Sequence, residues 1–168
     1  MIKKVLLSLL IIPTLLISND SGESFTYLHA GGWGQDKPYG ANLGIGNRKR
    51  LGKIGYGYSA DVSTILHIPI VASGKGELLY FLSSSSNSYY TGVSGGLGTL
   101  YFPNDGIFIK QGFYPVITSE LLLGKQMIDA DGKHSFVNVG INPLFSLQAI
   151  DDGQIIFPTI AVSYAWEY

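Results

Sequence analysis

Apolar and polar residues alternate with a period of two along most of the chain after residue 22. At the C-terminus Tyr168, Trp166, Tyr164, Val162 and Ile160 share one parity, while Glu167, Ala165, Ser163, Ala161 and Thr159 hold the other. A β-strand sends successive side chains to opposite faces, so this segment has one greasy face and one small or polar face. The pattern repeats upstream. Val137, Val139 and Ile141, continued by Pro143, Phe145 and Leu147, alternate with Phe136, Asn138, Gly140, Asn142, Leu144 and Ser146. Tyr89, Thr91, Val93, Leu97, Thr99 and Tyr101 alternate with Tyr90, Gly92, Ser94, Gly96, Gly98 and Leu100. Tyr56, Tyr58, Ala60, Val62 and Thr64 alternate with Gly55, Gly57, Ser59, Asp61 and Ser63, and Tyr39, Ala41, Leu43 and Ile45 with Gly40, Asn42, Gly44 and Gly46. Glycine recurs inside all of these segments except the C-terminal one, at a cost of about 1 kcal/mol each in a helix, so a helical reading fails there.

Eight strands are predicted, at about 24–33, 38–48, 53–66, 75–83, 89–102, 114–128, 134–147 and 155–168. Turn residues separate most of them: Gln35–Pro38, Ser83–Ser88, Asp129–Gly132 and Asp151–Gly153. Two segments follow the pattern poorly. Ser24 to Trp33 alternates weakly, and Lys75 to Ser83 contains the unbroken apolar run Leu78-Leu79-Tyr80-Phe81-Leu82. The run Ser83–Ser86 reads as a flexible turn.

Alternation shows that the two faces meet different surroundings; composition indicates which face meets which. Charged residues are 14% of the chain, against roughly 25% in soluble domains, and the polar strand faces are built of glycine, serine and asparagine rather than lysine and glutamate. Tyrosine and tryptophan gather near strand ends on the apolar faces, as in an aromatic girdle, and the chain stops on an aromatic residue. These features predict an all-β, closed, up-and-down antiparallel transmembrane β-barrel of eight strands, with its apolar face turned to lipid. A soluble lipocalin-like barrel is the alternative. Closure satisfies every backbone polar group within a bilayer, which an open sheet cannot do.

The N-terminus fits that destination. Met1-Ile2-Lys3-Lys4 is a basic start, and Val5 to Ile17 is an apolar run broken only by Ser8, Pro13 and Thr14. It is shorter than the roughly 20 residues of a membrane helix and reads as a signal peptide, with Leu16 and Ser18 at the −3 and −1 positions. The predicted organisation is a signal peptide over 1–18 and an outer-membrane barrel over 19–168, exported and lodged in the outer membrane of a Gram-negative cell. The 168-residue chain leaves room for one domain.

Strand parity then assigns an interior. Asp61 falls on the inward face, Lys75 and Glu77 join it in the chosen register, and Glu120 follows because a carboxylate is costly against lipid. Arg48 has inward parity near the end of the second strand. These five residues are predicted to form a buried network of charges that fills the lumen, since buried charges must be paired. Eight strands leave no wide pore. A narrow ion-conducting path through the same network is the alternative, and a lipid A-modifying enzyme the third reading.

For the enzyme, the catalytic residues are hard to find. His134 and Ser135 are adjacent on a strand and so face opposite ways. His67 follows the third strand in a turn, and His29 has no carboxylate partner on its own strand. No catalytic residue, metal site or cofactor is assigned. Cysteine is absent, which excludes thiol chemistry and disulfides, and a net charge of −1 gives no footprint for nucleic acid. Arg48-Lys49-Arg50 with Lys53 reads as a solvated basic turn. The long connection from Phe102 to Tyr114, with Ile107, Phe108, Ile109 and Phe113, is expected outside the cell, folded over the barrel mouth. The connections at about 34–37, 67–74 and 148–154 are expected on the same side.

The final strand resembles the C-terminal signal that the outer-membrane assembly machinery reads in bacterial barrels, carried by Ile160, Val162, Tyr164, Trp166 and Tyr168. With eight strands, short turns and about 150 mature residues, the chain is similar to the small OmpA/OmpX-type barrels. Gly44-Ile45-Gly46-Asn47-Arg48, Gly55-Tyr56-Gly57 followed by Asp61-Val62-Ser63, and Gly76-Glu77-Leu78-Leu79-Tyr80-Phe81 resemble outer-membrane proteins of Chlamydiae. The resemblance implies a fold and a location but no activity. The expected partners are outer-membrane lipids and lipopolysaccharide, together with the assembly machinery, for a monomer with a structural or surface-interaction role.

Overall fold

A computed structural model of the chain describes residues 22–34, 38–65, 68–102, 111–142, 144–146 and 159–168. The signal segment, the greater part of the 103–113 connection and the 148–154 connection lie outside the described residues. Among those described, every regular element is a strand: β1 (Glu23–Gly34), β2 (Pro38–Leu51), β3 (Ile54–Ile65), β4 (Ile68–Phe81), β5 (Ser88–Phe102), β6 (Gly112–Ile128), β7 (His134–Asn142), β8 (Leu144–Ser146) and β9 (Thr159–Glu167). Each strand from β1 to β6 pairs antiparallel with the next. β7 and β8 lie along β6 in one unshifted register and count as a single stave. β9 pairs with β7 on one side and β1 on the other, which closes eight staves into an up-and-down barrel.

One predicted boundary is corrected. The fourth strand starts at Ile68, so most of the segment read as the connection 67–74 is strand. Its run Leu78 to Leu82 breaks alternation because both faces are apolar there: Leu78 and Tyr80 point outward, while Leu79 and Phe81 are buried inside. The first strand alternates weakly for a related reason, since Phe25 and Tyr27 point inward and are buried.

The lumen is therefore not lined by small and charged groups alone. At the end that carries both barrel termini, Phe25, Tyr27, Leu79, Phe81, Tyr90, Leu122, Phe136 and Ala165 form an apolar plug. Toward the opposite end, Val71, Leu100 and Val116 pack with Tyr114 on β4, β5 and β6. Between these clusters the interior is polar. The outer wall is apolar all round, with Val162 50% and Leu121 60% exposed.

Short turns at the terminal end hold the staves in register. Gly52 (φ 61°) and Gly132 (φ 81°) occupy left-handed positions that a side chain would strain, in the β2–β3 and β6–β7 turns. Asp129 Oδ1 accepts bonds from the amides of Asp131 and Lys133, both 2.9 Å. Arg50 overturns the solvated basic turn and the flexible serine turn together. It is 4% exposed, its Nη2 donates to the carbonyls of Ser83 and Ser85 at 2.7 and 2.8 Å, and its guanidinium lies 4.0 Å over Phe81. With Arg48 buried too, only Lys49 and Lys53 of that basic run remain outward.

Candidate functional site

Three polar contacts inside the barrel share one construction. A side chain on one strand meets a side chain two strands away, across a glycine on the strand between. His29 on β1 and Asp61 on β3 are both register partners of Gly44 on β2. Arg48 on β2 and Glu77 on β4 both partner Gly57 on β3. Tyr90 on β5 and Asn138 on β7 both partner Gly124 on β6. Strands two apart in a sheet are separated by roughly 10 Å, a gap that long side chains bridge only if nothing stands between them. A Cβ on Gly57 would sit 2.7 Å from Glu77 Oε1, and one on Gly44 the same distance from Asp61 Oδ1. Glycine at these positions clears the path.

The Arg48 rung lies deepest. Its guanidinium is wholly buried, with Nε donating to Glu77 Oε1 at 2.7 Å and Nη2 to Glu77 Oε2 at 3.0 Å. This fork holds the carboxylate in two parallel charge-assisted bonds. Nη1 donates to the Tyr90 hydroxyl at 3.2 Å, and the Phe136 ring lies 3.8 Å from the guanidinium carbon. The plug aromatics thus wrap the cation that the carboxylate neutralises. Tyr90 in turn donates to Asn138 Oδ1, and Asn138 Nδ2 donates to Ser163 Oγ at 3.3 Å, which carries the network to β9.

One level higher, Asp61 is the hub. His29 Nε2 lies 2.5 Å from its Oδ1, Lys75 Nζ 3.3 Å from its Oδ2, and Ser59 Oγ donates to Oδ2 at 3.2 Å. Its side chain is 1% exposed. Glu120, on the far wall, receives a bond from Ser94 Oγ at 3.5 Å and leans over Gly140. Asp61, Glu77, Lys75 and Glu120 line one polar cavity of about 50 Å³, together with His29, Asn42, Ser63 and Ser163.

The structure thus brings Arg48, Asp61, Lys75, Glu77 and Glu120 into one interior, as two separate ion-paired groups and one isolated carboxylate. His29, Tyr90, Asn138 and Ser163 complete the network and were not singled out as members from the sequence. Each has inward parity, but the signal that joins them is a shared glycine partner, and that is visible only once the register is known. His29 does have a carboxylate partner, supplied by β3 rather than by its own strand. His134 has a different place, at the terminal rim. It stacks on Phe25 at 4.2 Å, and its Nδ1 lies 2.9 Å from Glu167 Oε2, so it ties β7 to β1 and β9 where the barrel closes.

Outside, Ile160, Val162, Tyr164, Trp166 and Tyr168 all face away from the lumen and are exposed, with the Tyr164 and Trp166 rings stacked at 5.9 Å. Tyr101, half-buried, and Phe113, exposed, form a second aromatic pair at 4.7 Å toward the opposite end. No protein-family model, curated protein or solved structure matches the chain.

Proposed function

We propose that this barrel is an integral outer-membrane protein of the small OmpA/OmpX-like kind, similar to those of Chlamydiae, with a structural or surface-interaction role. One observation carries the reading: the polarity of the wall is inverted. Val139, Val162 and Leu121 stand on the outside while Arg48, Asp61 and Glu77 are sealed within. A water-facing barrel with that surface would expose an apolar patch far larger than soluble monomers carry, whereas acyl chains are its natural solvent. The aromatic pairs toward the two ends suit the interfaces of a bilayer, where an amphipathic ring meets headgroups.

In this reading the outer belt anchors the protein, and the lumen network stiffens it and sets the strand register. The terminal plug, with Arg48 at its centre, argues against an open conduit, so the role rests with the wall and the loops. The partners proposed are outer-membrane lipids and lipopolysaccharide along the wall, and the assembly machinery at the C-terminal strand. Heat-modifiable migration of protein extracted from outer-membrane fractions tests the proposal. A compact, faster or slower band before boiling is expected, and recovery of the mature chain in the detergent-free soluble fraction would refute it. Planar-bilayer recording separates a pore, which would show discrete conductance steps.

A further inference from the structure

The charge on the outer wall is all of one sign. Among the described strand residues with outward parity, the charged ones are Lys49 on β2 and Lys125 on β6, with no aspartate or glutamate to match them. Neither lysine is ion-paired among the described residues. Both stand close to the terminal ends of their strands, at Leu51 and Ile128. Lys125 lies over its outward register partner Tyr89, with Nζ 5.3 Å from the ring centroid. A lysine on a lipid-facing wall finds its countercharge at the phosphates of the headgroup layer, toward which its long stem extends.

Directly beside Lys125 the wall is furrowed. An apolar groove of about 720 Å³ runs across the strands between two rows of outward side chains. The row on the terminal side begins at Ile54 and passes through Thr91 to Val139, and the other passes from Leu78 to Ile160. The backbone at Gly92 and Gly140 belongs to the floor. Four strand spacings make the groove roughly 20 Å long. Strand tilt inclines it to the bilayer, so it climbs from the terminal turn at Ile54 toward the opposite end. That length suits an acyl chain crossing one leaflet, about 15 Å of hydrocarbon, at a slant. The terminal-side row is lowest at Thr91, a small residue whose hydroxyl is turned to the Leu122 carbonyl at 3.1 Å. Tyr89 and Lys125 are the register pair next to Thr91 and Leu123 on the terminal side.

We propose that this face of the barrel is a binding site for one anionic glycerophospholipid, whose phosphate pairs with Lys125 and whose acyl chain passes over Thr91 into the groove. The site rests on the proposed membrane setting and adds a ligand to it. Apolar burial along the groove holds the chain, and the lysine selects the headgroup. One lysine at the headgroup layer is worth about fivefold in preference for a negatively charged lipid over a zwitterionic one.

The test is native mass spectrometry of the barrel after refolding into vesicles of equal parts phosphatidylcholine and phosphatidylglycerol and gentle extraction into nonionic detergent. One retained lipid per barrel is expected, phosphatidylglycerol over phosphatidylcholine by about fivefold. Lys125→Gln should bring that ratio close to one and Lys125→Arg should keep it, while Lys49→Gln, away from the groove, leaves it unchanged. Thr91→Trp raises the low point of the row and should reduce retention of both lipids, a readout that serves if Lys125→Gln does not refold. A barrel that inserts but retains no lipid, or retains the two alike, overturns the site and leaves the membrane reading standing. A ratio that Lys49→Gln and Lys125→Gln lower equally also overturns it, because the preference then belongs to the rim as a whole. A lipid-free dimer lost in Thr91→Trp gives the groove to a second copy instead and refutes the proposal. Failure to enter vesicles of any composition removes the membrane reading and this site with it.

Discussion

Arg48 offers the sharpest test of how the interior is held. Its two bonds to Glu77, at 2.7 and 3.0 Å, and the packing of Phe136 at 3.8 Å leave it no contact with water. Arg48→Met keeps most of the volume but strands Glu77 as a buried carboxylate, a loss of about 3–5 kcal/mol. Glu77→Met leaves the guanidinium unpaired and costs about as much. Removing both charges together removes the stranded group as well, so the double variant should lie within about 2 kcal/mol of wild type, a coupling of several kcal/mol between neighbours. The assay is urea unfolding of protein refolded into lipid vesicles, followed by tryptophan fluorescence and by the unheated gel band. Because the pair is buried, the coupling should change little with added salt. Arg48→Met within about 1 kcal/mol of wild type, or a double variant equal to the sum of the singles, would refute the reasoning.

Other outcomes follow from the same geometry. Gly57→Ala should destabilise the barrel by about 2 kcal/mol or more, because its Cβ would sit 2.5 Å from the Asn47 carbonyl and 2.7 Å from Glu77 Oε1. Gly74→Ala, whose nearest neighbour is 4.0 Å away on the outer wall, should stay within about 0.5 kcal/mol in the same urea assay. Arg50→Ala should release the Ser83 and Ser85 carbonyls, speeding amide exchange over residues 83–88 and costing about 1–3 kcal/mol. Val139→Arg, measured in vesicles, separates the two settings of the wall. A lipid-facing site costs about 2–4 kcal/mol near the bilayer centre, and a water-facing one no more than about 0.5 kcal/mol.

Much of this architecture is written in strand parity. The alternation of Tyr56, Tyr58 and Val62 with Gly55, Gly57 and Asp61 is a local property, since backbone geometry alone sends successive residues to opposite faces. It therefore places Asp61 on one side and Val62 on the other before any fold is known. The same holds for the last strand, from Ile160 to Tyr168. Where the chain packs apolar residues on both sides, as at Leu78 to Phe81, the period fades, and the extent of β4 is obscured for that reason.

Register, by contrast, belongs to the closed sheet. No local pattern says that Gly44 stands between His29 and Asp61, or that Gly57 lies between Arg48 and Glu77, because those pairs are 32 and 29 residues apart along the chain. Nor does the basic run Arg48 to Arg50 reveal that two of its cations turn inward, one to a carboxylate two strands away and one to a neighbouring turn. Sequence alone determined which residues could face the axis. Closure of eight staves decided which of them meet, because only the shared register of the whole ring brings distant inward residues to the same height.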